Sequence, residues 1–201
     1  MLTAFSIAKP CIARNIGFTL VEMMIVIAII GIATAMGLPS FSKWVLNTQI
    51  RNAAESVQNG LQRTRAEAVA RNANIEFVLG GAGTPWKIQL PGNLALCPNY
   101  GPTLIECSTS EGAKKATVVG VDKNGVVATT VTFNNFGRVG RLSNSLLNTD
   151  GTEPLTQVNF DLPVSVLSAA DSRDLSVTIS TGGSIRMCDP NLIAGSSPLA
   201  C

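Results

Sequence analysis

Histidine is absent from all 201 residues. That removes at once the commonest general base near neutral pH and the commonest metal ligand. Aromatic residues make up only 5% of the chain and charged residues only 14%, and neither sign of charge dominates, the formal net charge being +2. Of the 15 basic residues, Lys9 and Arg14 precede Phe18, so a chain beginning at Phe18 carries as many bases as its 13 acids. A formally neutral product is a poor non-specific polyanion binder, because phosphate contacts supply most of that affinity. Any nucleic-acid reading therefore rests on a local cluster. No glycine-rich nucleotide motif follows a strand-like run, no two acids stand at a defensible catalytic spacing, and there is neither an internal repeat nor a linker to a second globular domain. Catalysis is not expected, nor is a cofactor or a metal.

Long apolar runs are not lacking. Between Phe18 and Leu38 the one charged side chain is Glu22. The stretch is long enough to cross a bilayer, and an unpaired carboxylate inside it costs about 2 kcal/mol or more. Residues 1–17 carry two bases and no acid, which places them on the cytoplasmic side and the rest outside. An ordinary secretory signal cut at Ala33-Thr34-Ala35 is one reading, but the run is long for such a signal and holds an acid. A plain signal anchor is another, and it leaves Glu22 without a purpose. Processing between Gly17 and Phe18 explains both features: the run Gly17-Phe18-Thr19-Leu20-Val21-Glu22 resembles the prepilin signature of type IV pilins and type II secretion pseudopilins. The resemblance implies a prepilin peptidase that cuts after Gly17 and methylates the new amine of Phe18. It also implies that Glu22 pairs with the N-terminal amine of a neighbouring subunit. Such pairing makes physical sense, because either charge left alone in a low-dielectric helix bundle is strongly penalised. Pro39, close after Gly37, predicts a kink near residues 35–39.

Five cysteines are present: Cys11, Cys97, Cys107, Cys188 and Cys201. A cut after Gly17 discards Cys11 and leaves an even set on the exported side, which reads as disulfides in an oxidising compartment. Four cysteines allow three pairings. Cys97–Cys107 and Cys188–Cys201 are favoured because each closes a short loop bounded by Pro or Gly, contributing roughly 3 kcal/mol in the chain-entropy picture. The spacings do not suit zinc.

Beyond Pro39, apolar residues at Phe41, Trp44, Val45, Ile50, Ala53, Ala54, Val57, Leu61, Ala68 and Val69 recur mostly in steps of three and four. That pattern predicts an amphipathic helix laid on a sheet. Arg51, Glu55, Arg63, Arg65, Glu67 and Arg71 read as its solvated face. Gly60 costs the helix about 1 kcal/mol relative to Ala and points to close packing. Past Asn74 the period changes, and short strands are expected at 75–79, 86–90, 116–121, 126–134, 155–162, 175–180 and 184–187. Asn124-Gly125 and Gly182-Gly183 are hairpin signals, while 92–115 and 141–154 read as longer loops.

Three segments sharpen the resemblance: Gln62-Arg63-Thr64-Arg65-Ala66-Glu67-Ala68, Phe133-Asn134-Asn135-Phe136-Gly137-Arg138-Val139, and Gly183-Ser184-Ile185-Arg186-Met187-Cys188-Asp189-Pro190. These resemble the GspH/FimT branch of minor pilins and pseudopilins, most of all the FimU/FimT-type minor pilins. The implied fold is α+β and pilin-like. Residues 1–17 are a leader, 18–39 a transmembrane and filament-core helix, and 40–201 a periplasmic head of helix 40–73 plus an antiparallel sheet over 74–201. The implied role is a minor pilin that helps initiate a type IV pilus at or near its tip, serving twitching motility, adhesion or DNA uptake. Its partners would be other minor pilins, the major pilin, the peptidase, the inner-membrane assembly platform and, before assembly, inner-membrane lipid. The alternatives are an H-type pseudopilin of a type II secretion system and a DNA-binding minor pilin for natural transformation. For DNA the candidate residues are Arg138, Arg141, Arg173 and Arg186, although the last hairpin carries one arginine where a basic cluster would be wanted.

Overall fold

The computed structural model describes residues 17–80, 86–92, 103–108, 114–141, 145–193, 195 and 197–201, without the side chains of 36–39. The leader up to residue 16 and Cys97 lie outside the described residues. The chain divides into two compact units, Met1–Phe41 and Ser42–Cys201.

Helix α1 runs Leu20–Arg71. Its start is an N-cap: Thr19 precedes the first turn and its Oγ1 accepts from the backbone N–H of Glu22 at 3.2 Å. Its stop is Asn72, the non-glycine residue at positive φ (49°). There the amides of Asn72 and Ala73 donate back to the carbonyls of Val69 and Ala68, which closes the last turn in a Schellman arrangement. Gly37 and Pro39 fall inside the helical run, and the kink predicted there stays an expectation.

Among the described residues of the second unit, eight strands form two antiparallel sheets. β1 (Ile75–Leu79), β2 (Trp86–Gln89), β3 (Leu104–Ser108) and β5 (Thr130–Phe133) lie in the order β3-β2-β1-β5. β4 (Thr117–Val121), β6 (Gln157–Asp161), β7 (Leu175–Ile179) and β8 (Ile185–Cys188) lie in the order β4-β6-β7-β8. Alternation sends Ile75, Phe77, Leu79, Val131 and Phe133 of one sheet and Val158, Phe160, Val177 and Ile179 of the other into one core. The helix supplies Ile50, Ala53, Ala54, Val57, Leu61 and Ala68, all with no exposed surface. Small residues there let helix and sheet approach closely. Gly60 is the extreme case: a methyl group on it would lie 2.8 Å from the Trp86 ring and 2.9 Å from Phe77. Those two rings pack with centroids 5.7 Å apart, and Trp86 donates its indole N–H to Ser56 Oγ at 3.0 Å.

Several sequence expectations are corrected here. The stripe on α1 is narrower than its apolar pattern, since Phe41, Trp44, Val45 and Val69 are exposed. Segment 92–115 is not all loop, because β3 lies within it and pairs with β2. The Asn124-Gly125 turn forms, with Asp122 and Val126 bonded across it. However, β4 and β5 do not continue as a hairpin: after a single bridge, Val121 to Val127, the chain crosses to the other sheet. The expected strand 126–134 thereby shortens to β5. By contrast, Gly182-Gly183 joins β7 and β8 as the sequence suggests, Ser180 and Ser184 bonding across the turn.

Candidate functional site

In the first unit every residue from Gly17 to Ala35 is exposed, including Phe18, Leu20, Ile25, Ile27, Ile29 and Ile30. A helix apolar on all sides needs cover, from lipid or from other helices. By length and composition, no single helix is apolar enough to cross a membrane among the described residues; Leu20–Ala35 and Ser40–Arg71 meet that standard only together. Glu22 sits in the first turn, where an anion also suits the helix dipole. Its amide is taken by Thr19, whereas its carboxylate makes no ion pair among the described residues. The arrangement thus presents a charged acceptor on a greasy surface, a turn away from the residue that cleavage would make N-terminal.

In the second unit, Cys188 and Cys201 form a disulfide with their Cα atoms 5.0 Å apart. Asp189 bridges to Ala200 in parallel, so the C-terminal loop returns to the end of β8. Cys107 is also disulfide-bonded. Since Cys188 and Cys201 hold one another, its partner is outside the described residues, as is the expected Cys97.

Of the four arginines proposed for DNA, Arg138 and Arg186 lie toward one end of β7 and Arg173 at the other. Arg138 lies in the turn that meets the β7–β8 connection, where Val139 donates to Thr181. Arg186 opposes Thr178 near the same end, but its Nη2 donates to the carbonyl of Ala200 at 2.7 Å and latches the C-terminal loop. Arg173 precedes β7 at the opposite end, roughly 17 Å away along a five-residue strand. Arg141 is exposed, and its amide is tied to Leu147.

A different arginine matters more to the architecture, and the sequence reading placed it on the solvated face. Arg65 donates from Nε to the carbonyl of Gly137 at 3.1 Å. Gly183, at φ 82°, packs so tightly here that a Cβ would come within 1.9 Å of that same carbonyl. Helix, β5 turn and β7–β8 turn therefore meet at one point. Its helical neighbours do behave as a solvated face: Arg51 pairs with Glu55, and Glu67 with both Arg63 and Arg71.

Asn148, in the segment read as loop, is fully buried. Its Oδ1 accepts from the Thr132 amide, and its Nδ2 donates to Thr130 O, Thr152 Oγ1 and Glu153 O, all within 3.2 Å. The side chain acts as a surrogate strand along the open edge of β5. The turn signal Asn148-Thr149-Asp150-Gly151, closed by a bond from Gly151 N to Asn148 O, was the available sequence clue. Two acids elsewhere in the second unit are shifted from the ordinary carboxyl value. Burial pushes the Asp161 carboxyl above the usual range, and the like charge of Asp174 adds to this. At Asp171 the hydrogen bond from Lys43 holds the carboxyl below it.

Comparison with known proteins follows the same division. Residues 12–38 match the prokaryotic N-terminal methylation motif, and residues 53–183 match the family described as type II transport protein GspH. A fimbrial protein of Pseudomonas aeruginosa is 46% identical over 41 residues, 20% of this chain and 27% of its own length. The type IV major fimbrial protein FimA of Dichelobacter nodosus is 44% identical over 46 residues, 23% of this chain and 28% of its own. The chain thus spans about a quarter of the curated relatives it matches. The crystal structure of the type IV minor pilin FimU of Pseudomonas aeruginosa strain PAO1 is 18% identical, covering 77% of this chain and 96% of that one at a TM-score of 0.44. With a methylation motif at its head and the family sequence matched across most of its length, the chain belongs to the GspH family of type IV pilin-like proteins, the structural, non-enzymatic minor pilins and pseudopilins.

Proposed function

We propose that this chain is a minor pilin that enters a type IV pilus through its N-terminal helix and helps initiate assembly at or near the tip. One observation carries the reading: an apolar helix exposed from Gly17 to Ala35, with a carboxyl at Glu22 that makes no ion pair among the described residues, one turn after the Gly17–Phe18 junction. A peptidase acting on the cytoplasmic side removes residues 1–17 and methylates Phe18. The subunit then stays in the inner membrane with its head in the periplasm until the assembly platform joins it to other minor pilins and the major pilin. Glu22 meets the amine of a neighbour at that step, which relieves the cost of an unpaired charge in an apolar bundle. Helix–helix packing supplies the remaining cohesion.

Mass spectrometry of the exported protein tests the processing step, and an N-terminus at methylated Phe18 is the expected result. The Glu22→Gln variant should reach the membrane at normal levels yet enter filaments at least tenfold less often. Normal incorporation would remove the charge-pairing step. A second reading, an H-type pseudopilin, is favoured by the family description as a type II transport protein. Deletion of the gene separates the two, since loss of pili supports the first and loss of protein secretion the second. Duplex-DNA binding rests on Arg138, Arg141, Arg173 and Arg186 alone, and Arg173 lies at the opposite end of β7 from Arg138 and Arg186.

A further inference from the structure

A groove of about 680 Å³ opens on the second unit beside the start of its helical part. Trp44, Leu175, Met187 and Leu199 give it an apolar floor, and Arg51 and Arg173 line it as well. Trp44 is 64% exposed and Leu199 61%, too much apolar surface for a groove meant to face water alone. Arg173 is fixed by its backbone: its amide donates to Asn47 Oδ1 at 2.9 Å, and Asn47 Nδ2 donates to the carbonyl of Asp171 at 3.0 Å. Its guanidinium makes no ion pair among the described residues. Arg51 is shared with Glu55 at 2.8 Å. The acid in the lining, Asp189, has Oδ1 occupied by the amide of Asn191 at 2.8 Å. Nearby Lys43 and Asp171 neutralise each other. The groove is therefore apolar below, with Asp189 as the acid of its lining, Arg51 held by Glu55, and Arg173 the base at its wall that no carboxylate pairs among the described residues.

Chain length decides what can reach it. Trp44 follows Leu38, the end of the apolar run, by six residues, a span of at most about 20 Å even fully extended. If the apolar run is in lipid, as the proposed function holds, Trp44 is confined close to the headgroup layer. Tryptophan with basic neighbours is the composition that favours that layer, and each exposed base near anionic lipid adds to the attraction. We infer that this groove holds an anionic phospholipid of the membrane in which the subunit waits, its phosphate against Arg173 and Arg51 and its upper acyl chain over Trp44, so that the head rests on the bilayer until the subunit is extracted.

The test uses the full chain in vesicles of phosphatidylcholine with increasing phosphatidylglycerol. Trp86 is buried and hydrogen-bonded, so acrylamide quenching of tryptophan emission reports on Trp44. Quenching should fall as phosphatidylglycerol rises. Arg173→Gln and Arg51→Gln should each require about fivefold more anionic lipid for the same protection, with unchanged thermal melts, because Arg173 serves the fold through its backbone. Protein that floats with the vesicles while quenching ignores phosphatidylglycerol or either substitution overturns this inference and leaves membrane anchoring standing. So does shielding of Trp44 that appears only when a second pilin subunit is added. Protein that fails to float removes the membrane-anchored reading, and this inference with it.

Discussion

Asn148 and Gly60 do opposite things with a single side chain. Asn148 engages both its amide oxygen and its amide nitrogen and thereby closes the edge of β5. Asn148→Ala leaves the buried Thr132 amide and Thr130 carbonyl without this partner, so a loss of about 2–4 kcal/mol is expected in urea unfolding. Gly60 contributes by having no side chain. In an exposed helix Gly→Ala stabilises by about 1 kcal/mol, but here the added methyl meets Trp86 and Phe77. Gly60→Ala should therefore destabilise by about 1–3 kcal/mol, the sign reversal being the diagnostic result. The glycine was legible as an anomaly in a helical pattern. The aromatic pair above it was not, because Trp86 is brought there by the sheet.

At the scale of elements, α1 was the most readable part of the molecule. Its capping residues, its stop at Asn72 and its i, i+4 charge pairs follow from local spacing alone. Arg65 escaped that reading because its partner, Gly137 O, is 72 residues away. Strand β3 escaped for a related reason: Leu104-Ile105-Glu106-Cys107-Ser108 has little alternation of its own, and it is ordered by β2 and tied down at Cys107. The C-terminal loop makes a direct test possible. A Cys188→Ser, Cys201→Ser double variant spares Cys107 and frees a loop with a 13-residue separation. Its melting temperature should fall by about 6–12 °C, corresponding to roughly 3 kcal/mol. A melt unchanged by the substitution would mean that Arg186 and the Asp189–Ala200 bridge hold the loop unaided.

For the whole molecule, acid stability can be read from three carboxyls. Burial pushes Asp122 up, but the amides of Val126 and Asn124 outweigh it and leave its carboxyl below the ordinary value of 3.8. Asp171 is lowered as well. Each contributes stability that is present above the unfolded value and lost as pH falls through the folded one. Asp161 has the opposite sign: its folded value is raised, so its contribution is lost as pH rises. Asp174→Asn should accordingly raise stability at pH 7 and leave it unchanged near pH 2, a difference that unfolding curves at the two values will show. The residue pattern alone determined the apolar helix with its one acid, the amphipathic continuation, most strands and the Cys188–Cys201 bond, because each depends on neighbours close in the chain. Only the tertiary structure decided the division into two sheets, the placing of Arg173 at the opposite end of β7 from Arg138 and Arg186, the docking point at Arg65 and the groove beside Trp44. Those features join residues tens of positions apart, and which of them meet is set by packing around a shared core, which no local spacing encodes.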